Sequence, residues 1–381
     1  SWAITRKFRL ELKMRGFISG LIIGLVIGVI LAVASPQTET LKDSESEAGG
    51  PELRENMGTT VSPVEWQLSS VLPKDTELSA DGRRVAERIT GLTRAGVKMS
   101  FRAPESHAKG LDLFNAVSSG TIEAVFSSPT YWGDKSHGFD FLAGVPFGPT
   151  GDEFLTWYHQ GGGEALADAL FRRFNIKGVL CGLAGPIAGS LFTAPVNFLS
   201  DLSNKSIAAT GLSALVLKRA GAQVVTKTQP EVMLSIRGGT LFGSVSSHPL
   251  ALNQDFLSAS AKHLYFPGWF QQVSPYFLMI HLRDWSGLSK IAQMRIQAVC
   301  AENIINSFVR SEGTQFKRLK KMINQGADVR EWPPEMLASL KEIWVKEARR
   351  LSLNDQDFRR LWSSLKTFQR DHKIWKELGY L

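Results

Sequence analysis

The chain has 381 residues, 43 % hydrophobic and 21 % charged, which supplies apolar material for one large or two ordinary domains and excludes wholesale disorder. Its net charge of +8 is unevenly spread: residues 1–15 carry +4, residues 36–65 carry −5, and the remainder is mildly basic. That remainder shows neither a compact basic stripe nor a nucleic-acid-binding motif. The two cysteines, Cys181 and Cys300, are too few for a disulfide scaffold or a cysteine-based zinc site, and they read as two buried thiols rather than a bridge.

Arg6, Lys7, Arg9, Lys13 and Arg15 precede an uncharged run at 16–35. As a helix, 20 residues rising ~1.5 Å each span the ~30 Å hydrocarbon layer. Basic residues before it and acidic ones after it place the N-terminus in the cytoplasm and the bulk of the chain outside, in a Gram-negative cell the periplasm. Ala32-Val33-Ala34 before Ser35 also has the spacing of a signal-peptidase site, so a cleaved signal peptide is the rival reading. The retained helix is preferred for the length of its apolar run. Gly16, Gly20, Gly24, Gly28 and Ala32 recur every fourth residue and fall on one helical face, a smooth seam for close helix–helix packing with another inner-membrane subunit or a second copy. Residues 36–63 are polar, acidic and aperiodic, and read as a flexible spacer.

From residue 64 onward short strand-like runs alternate with helical patterns. Residues 66–72 alternate as a strand, and 81–92 carry Val85, Ala86 and Ile89 at helical spacing. Residues 98–102 and 121–126 read as strands, and 111–118 as a helix. Such alternation implies an α/β fold with a mostly parallel sheet covered by helices. After about residue 286 the pattern is helical almost throughout, interrupted at Pro333-Pro334.

Enzymatic chemistry finds no foothold. The seven histidines include no pair at three- or four-residue spacing, and no nucleophile elbow, Walker loop or dinucleotide fingerprint occurs, so neither a catalytic nor a metal site is assigned, and no cofactor.

Four stretches in fixed order, DLFNAVSSGTIEAVFSSPTYW (112–132), VPFGPTGDEFLTWYHQGGGEAL (145–166), LVLKRAGAQVV (215–225) and YFPGWFQQ (265–272), resemble the solute-binding receptors of tripartite ATP-independent periplasmic (TRAP) transporters, nearest to the branch that binds 2-oxo acids and other carboxylates. The resemblance implies two α/β lobes around a ligand cleft: lobe one at about 64–184 and 273–313, lobe two at about 185–272, and C-terminal helices at 314–381. It also implies delivery of an organic acid to a membrane permease, with an arginine gripping the substrate carboxylate through its planar donor fork.

The departures from the family pattern lie on the cleft side. Residues 204–221, NKSIAATGLSALVLKRAG, place Ala208 where the family's arginine stands. Residues 239–249, GTLFGSVSSHP, place Val245 and Ser246 at a Glu-Trp pair, and Leu191-Phe192 replace a Trp-Phe pair. Tyr131, Trp132 and Trp269 match positions near the cleft, where they line a residual pocket or merely pack the scaffold. Arg102, Arg237 and Arg283 are the candidate substitute cations. Two functions compete: a structural or docking subunit of an inner-membrane complex, and a tethered TRAP receptor with an altered ligand. The lost clamp and the packing seam favour the first. The basic pairs from Lys317 to Arg360 read as a solvated helical face, or alternatively as a docking face for acidic partners.

Overall fold

The computed structural model describes residues 63–379, apart from 72–73, 75, 94–95, 104–109, 187–188 and 246–261. The seam at Gly16, Gly20, Gly24, Gly28 and Ala32, the spacer up to residue 62, and Ser246 therefore lie outside the described residues. Among the described residues no helix is long and apolar enough to cross a membrane.

The chain begins as βα units: β1 (Val64–Ser70), α1 (Glu77–Leu92), β2 (Val97–Arg102), α2 (Gly110–Ser119) and β3 (Ala124–Ser127). Thr76 starts α1, its hydroxyl accepting from Ser79 N at 3.2 Å, and Val85, Ala86 and Ile89 turn inward at helical spacing. A 3-10 turn (Pro129–Trp132) leads to α3 (His137–Ala143), α4 (Gly151–Gln160), α5 (Gly163–Arg172) and β4 (Ile176–Ala184). The second lobe follows, with β5 (Ser190–Phe192), β6 (Ser206–Ala209), α6 (Gly211–Arg219), β7 (Gln223–Val225), α7 (Gln229–Arg237), β8 (Gly243–Val245) and β9 (His263–Phe266). The chain then returns through β10 (Ser274–His281) and α8 (Leu282–Gly287) to the 35-residue spine α9 (Lys290–Asn324), β11 (Asp328–Glu331), α10 (Pro334–Asn354) and α11 (Gln356–Gly379).

Two sheets result, ordered β2-β1-β3-β10-β4 and β11-β9-β5-β8-β6-β7. β1 pairs in parallel with β2 and β3, as their crossover helices require, whereas β10 runs antiparallel between β3 and β4 with every residue buried. In the second sheet β6 pairs in parallel with β7 and β8, and β11, an element the helical pattern after residue 286 concealed, closes the far edge on β9.

One face of the first sheet packs against α1 and α9 through Leu68, Val85, Ile89, Ile280, Ile296 and Val299. The other face opens into a continuous apolar cluster running from Phe114 and Phe139 through Phe192, Tyr265 and Trp332 to Trp344 and Phe358. The C-terminal helices strap both lobes. Arg219 on α6 donates from Nε to Glu347 of α10 at 2.7 Å, and Asp355 before α11 accepts from His137 N at 2.8 Å and from Ser136 Oγ at 3.0 Å.

The cysteines correct the sequence reading: Cys181 and Cys300 form a disulfide across 119 residues. The cause is the seating of α9 along β4. Asn303 Nδ2 donates to Cys181 O at 2.6 Å, and the hydroxyls of Ser307 and Ser311 accept from Leu183 N and Gly185 N. This ladder of polar ties brings the two thiols together, a proximity that no local sequence signal encodes.

Candidate ligand cleft

Ligand sites in open α/β sheets form outside the carboxyl ends of the strands. In lobe one that edge is the end of β3, where Ser127 is wholly buried and Ser128 caps the 3-10 turn that carries Thr130, Tyr131 and Trp132. In lobe two it is the end of β6 and β8, where Ala208, Ala209 and Val245 stand.

The aromatic side chains singled out from the sequence divide into two kinds. Trp132 is enclosed in the lobe-one core, its ring 5.2 Å from Phe114 and 6.0 Å from Phe139. Trp269 is 2 % exposed and stacks on Phe147 at 5.5 Å, and the Phe147 backbone N–H donates to the Trp269 carbonyl at 2.7 Å. Both are packed as scaffold. Tyr131 alone remains half-buried beside the cleft, with burial pushing its phenol far above the ordinary range.

Ala208 is 3 % exposed and lies in an apolar cluster with Leu191, Val232, Ile236, Leu241, Leu264 and Met322. Val245 is fully buried. The arginines weighed as substitutes lie on other elements. Arg102 is exposed at the end of edge strand β2, and Arg283 is exposed 3.6 Å from Asp284. Arg237 joins Lys205, Thr193 and Thr240 around a surface pocket of about 400 Å³ at the opposite, N-terminal end of β6.

Two clusters invisible to the sequence reading flank the junction. The first is a carboxylate from the protein itself. Asp140 on α3 is 6 % exposed and accepts from His137 Nδ1 at 2.9 Å. A Cβ added at Gly211, the first residue of α6, would lie 3.5 Å from Asp140 Oδ1 and 3.2 Å from Thr130 Oγ1. Lobe one therefore meets lobe two directly here, and a buried carboxylate stands at the positive end of α6, three residues after Ala208. Gly211 has φ +60, a left-handed conformation that favours glycine, so the close approach and the backbone both require a residue without a side chain. Burial pushes the Asp140 carboxyl up against the pull of His137, and its hydrogen bond raises the His137 imidazole in turn. The only local signal was the His137–Asp140 spacing on one helical turn.

The second cluster lies where α1 faces the spine. Asp81, 2 % exposed, pairs with Arg84 and Arg310, and Arg318 donates to Glu77 at 2.5 Å. Burial pushes the Asp81 carboxyl upward against the pull of Arg310 and Arg84. Buried donors with no hydrogen-bond partner among the described residues include Ser127 Oγ, Ser190 Oγ and Trp269 Nε1. Among the described residues no three His, Cys, Asp or Glu side chains gather as a metal-holding group.

This architecture matches known proteins. A monocarboxylate 2-oxoacid-binding periplasmic protein from Nostoc sp. is 23 % identical over 318 residues, covering 84 % of this chain and 87 % of that one. A TRAP periplasmic solute-binding protein from Colwellia psychrerythraea, crystallised with calcium and pyruvate, superposes with a TM-score of 0.77 at 18 % identity, covering 83 % of this chain and 97 % of the other. A TRAP solute-binding protein from Bordetella bronchiseptica with calcium and picolinate in its occupied site gives a TM-score of 0.75 at 22 % identity, covering 83 % and 95 %. Residues 68–351 match the family model described as bacterial extracellular solute-binding protein, family 7, and the chain belongs to that family, the solute-binding proteins of TRAP transporters.

Proposed function

We propose that this protein is a membrane-anchored, extracytoplasmic member of the family whose cleft has lost the carboxylate clamp and which serves as a structural or docking subunit of an inner-membrane complex. The observation that carries the reading is Ala208. At the position where the family pattern has its arginine, a methyl group packs among Leu191, Val232, Leu264 and Met322. Close by, the buried carboxyl of Asp140 stands at the start of α6, so a carboxylate ligand would meet an acidic group where it needs a cation. The close approach of Thr130 and Asp140 to Gly211, which leaves no room for a side chain there, sets the protein's own groups between the lobes.

Independent features support this location. A disulfide persists in an oxidising compartment, which suits a folded part outside the cytoplasm. The uncharged run at 16–35, with basic residues before it and acidic ones after it, supplies the anchor in this reading, and its glycine seam the contact with other inner-membrane subunits. The solved relatives bind calcium or sodium beside pyruvate or picolinate. Here Val245 occupies the acidic position of the family pattern, so the described residues do not fit such a cation. Catalysis has no part in this function.

A second reading, a tethered TRAP receptor with altered ligand specificity feeding a permease, draws on the unpartnered donors Ser127, Ser190 and Trp269, which a polar solute could satisfy. Titration calorimetry separates the two. Pyruvate and related 2-oxo acids added to the purified full chain should give no saturable heat up to millimolar concentration. Saturable micromolar binding would overturn the docking reading and establish the receptor.

A further inference from the structure

The spine α9 belongs to both lobes. Its first half is seated on lobe one through Ile296, Val299 and Cys300, and the hydroxyl of Ser311 accepts from Gly185 N at 3.0 Å. Its last turns are seated on lobe two: Leu319 and Met322 join the cluster of Ala208, Val232 and Leu264, and the chain then enters β11, which pairs with β9 in the second sheet. A bond from α1, an element of lobe one, to those last turns is therefore a bond between lobes.

Such a bond exists. Polar ties run along the side of α1 that meets the spine: Arg88 donates to Glu302 at 2.8 Å, Arg84 to Asn303 at 3.2 Å, Arg310 to Asp81, and Arg318 to Glu77 at 2.5 Å. The ties at 302, 303 and 310 engage the half of the spine seated on lobe one. The tie at Arg318 lies eight residues further along, about 12 Å, beside Leu319 on the half that belongs to lobe two. Glu77 is the first residue of α1 and follows the carboxyl end of β1, on the edge where the cleft opens. The Arg318 and Glu77 side chains are only 23 % and 25 % exposed, so solvent and salt screen this pair less than a surface pair. The other oxygen of Glu77, Oε2, is buried with no hydrogen-bond partner among the described residues, so the placement of the carboxylate rests on Arg318.

The close approach of Asp140 and Thr130 to Gly211 lies across the first sheet from this pair. α1 and the spine cover one face of that sheet, whereas Phe139 and Phe141 of α3 belong to the cluster on the other. The lobes thus meet on both flanks, through packing at Gly211 and through opposite charges at Arg318. In a solute receptor, closure draws its energy from a ligand that binds the closed state better than the open one. Here a carboxylate of lobe one meets the spine's arginine with no solute between them.

We infer that Glu77 and Arg318 form a latch that holds the cleft closed in the absence of a solute. The inference rests on the docking reading and deepens it, because a subunit that docks through a fixed surface gains from a pre-organised arrangement of its lobes. The start of α6 reports the state of the latch. The amides of Gly211 and Leu212 have no acceptor within the helix, the Thr210 side chain makes no cap hydrogen bond to them, and Asp140 and Thr130 of lobe one stand over Gly211. These amides exchange with solvent when the lobes part.

The test is hydrogen exchange of the purified full chain without solute, read by mass spectrometry, for the wild type, Glu77→Gln, Arg318→Gln and the double variant. Each single variant should speed exchange of a peptide covering residues 209–213 about tenfold or more, with β3 and β10 unchanged. The double variant should exchange no faster than the singles, because both remove the same bond. Millimolar pyruvate should leave the wild-type peptide unaltered. Unchanged exchange in the single variants, an additive rise in the double variant, or a rise shared by β3 and β10 would overturn the latch and leave the docking reading standing. A wild-type peptide that exchanges freely and is slowed by pyruvate would overturn both.

Discussion

Removing the disulfide should be costly, and the structure sets the size of the effect. Replacing Cys181 and Cys300 together by alanine frees a loop of 119 residues in the unfolded chain. The loop-closure relation gives about 5 kcal/mol for a loop of that length. Residual structure in the unfolded state lowers the usual yield to about 2–4 kcal/mol. For a domain of this size that corresponds to a fall in melting temperature of roughly 3–6 °C. The bridge also fastens the spine to β4 beside the ties from Asn303, Ser307 and Ser311, so loss should be visible as earlier exchange of the α9 amides. The assay is thermal and urea unfolding of the wild type, with and without reductant, against the double variant, accompanied by alkylation under denaturing, non-reducing conditions. Two reactive thiols before reduction, or identical stability of the reduced and oxidised forms, would refute the reasoning.

Two further perturbations probe the junction. Ala208→Arg should lower stability by about 3–5 kcal/mol, because an unpaired guanidinium enters the apolar cluster of Leu191, Val232 and Leu264; millimolar pyruvate should raise the melting temperature of the variant and leave the wild type unmoved, and an equal response of the wild type would contradict the proposed loss of the clamp. Asp355 joins α11 to α3: burial pushes its carboxyl up, but hydrogen bonds from Phe358 N, Ser136 Oγ and His137 N outweigh that and hold it below the ordinary range. Its contribution is therefore full above the unfolded value near ~3.9 and is lost as pH falls through the depressed folded value. Asp355→Asn should cost about 1–3 kcal/mol at pH 7 and progressively less below pH 4, and a stability gap independent of pH would contradict this.

The sequence carried the architecture because its signals are local. Alternating runs such as 66–72 and helical spacing such as Val85, Ala86 and Ile89 fix element types within a few residues, and they appear as β1 and α1. The motifs at 112–132 and 265–272 fall on β3 with its 3-10 turn and on the return from β9 to β10. What the sequence hid is what folding brings together from afar. The bridge between Cys181 and Cys300 needs α9 against β4, and the meeting of Asp140 with Gly211 needs both lobes. β11 is four residues long and takes its identity from pairing with β9, since its half-exposed residues carry no strong strand pattern. Among the cleft aromatics, composition could not separate Trp132 and Trp269, which the core absorbs, from the half-buried Tyr131.

The docking role is tested most directly by what the native protein holds on to. The full chain, affinity-tagged and extracted in mild detergent, would be analysed by mass spectrometry for stoichiometric partners, with Gly20→Leu and Gly24→Leu as the control. The account predicts another inner-membrane assembly in constant ratio, absent a TRAP permease and lost on substitution of the glycines. Recovery of a TRAP permease, or of partners unaffected by the glycine substitutions, would contradict it.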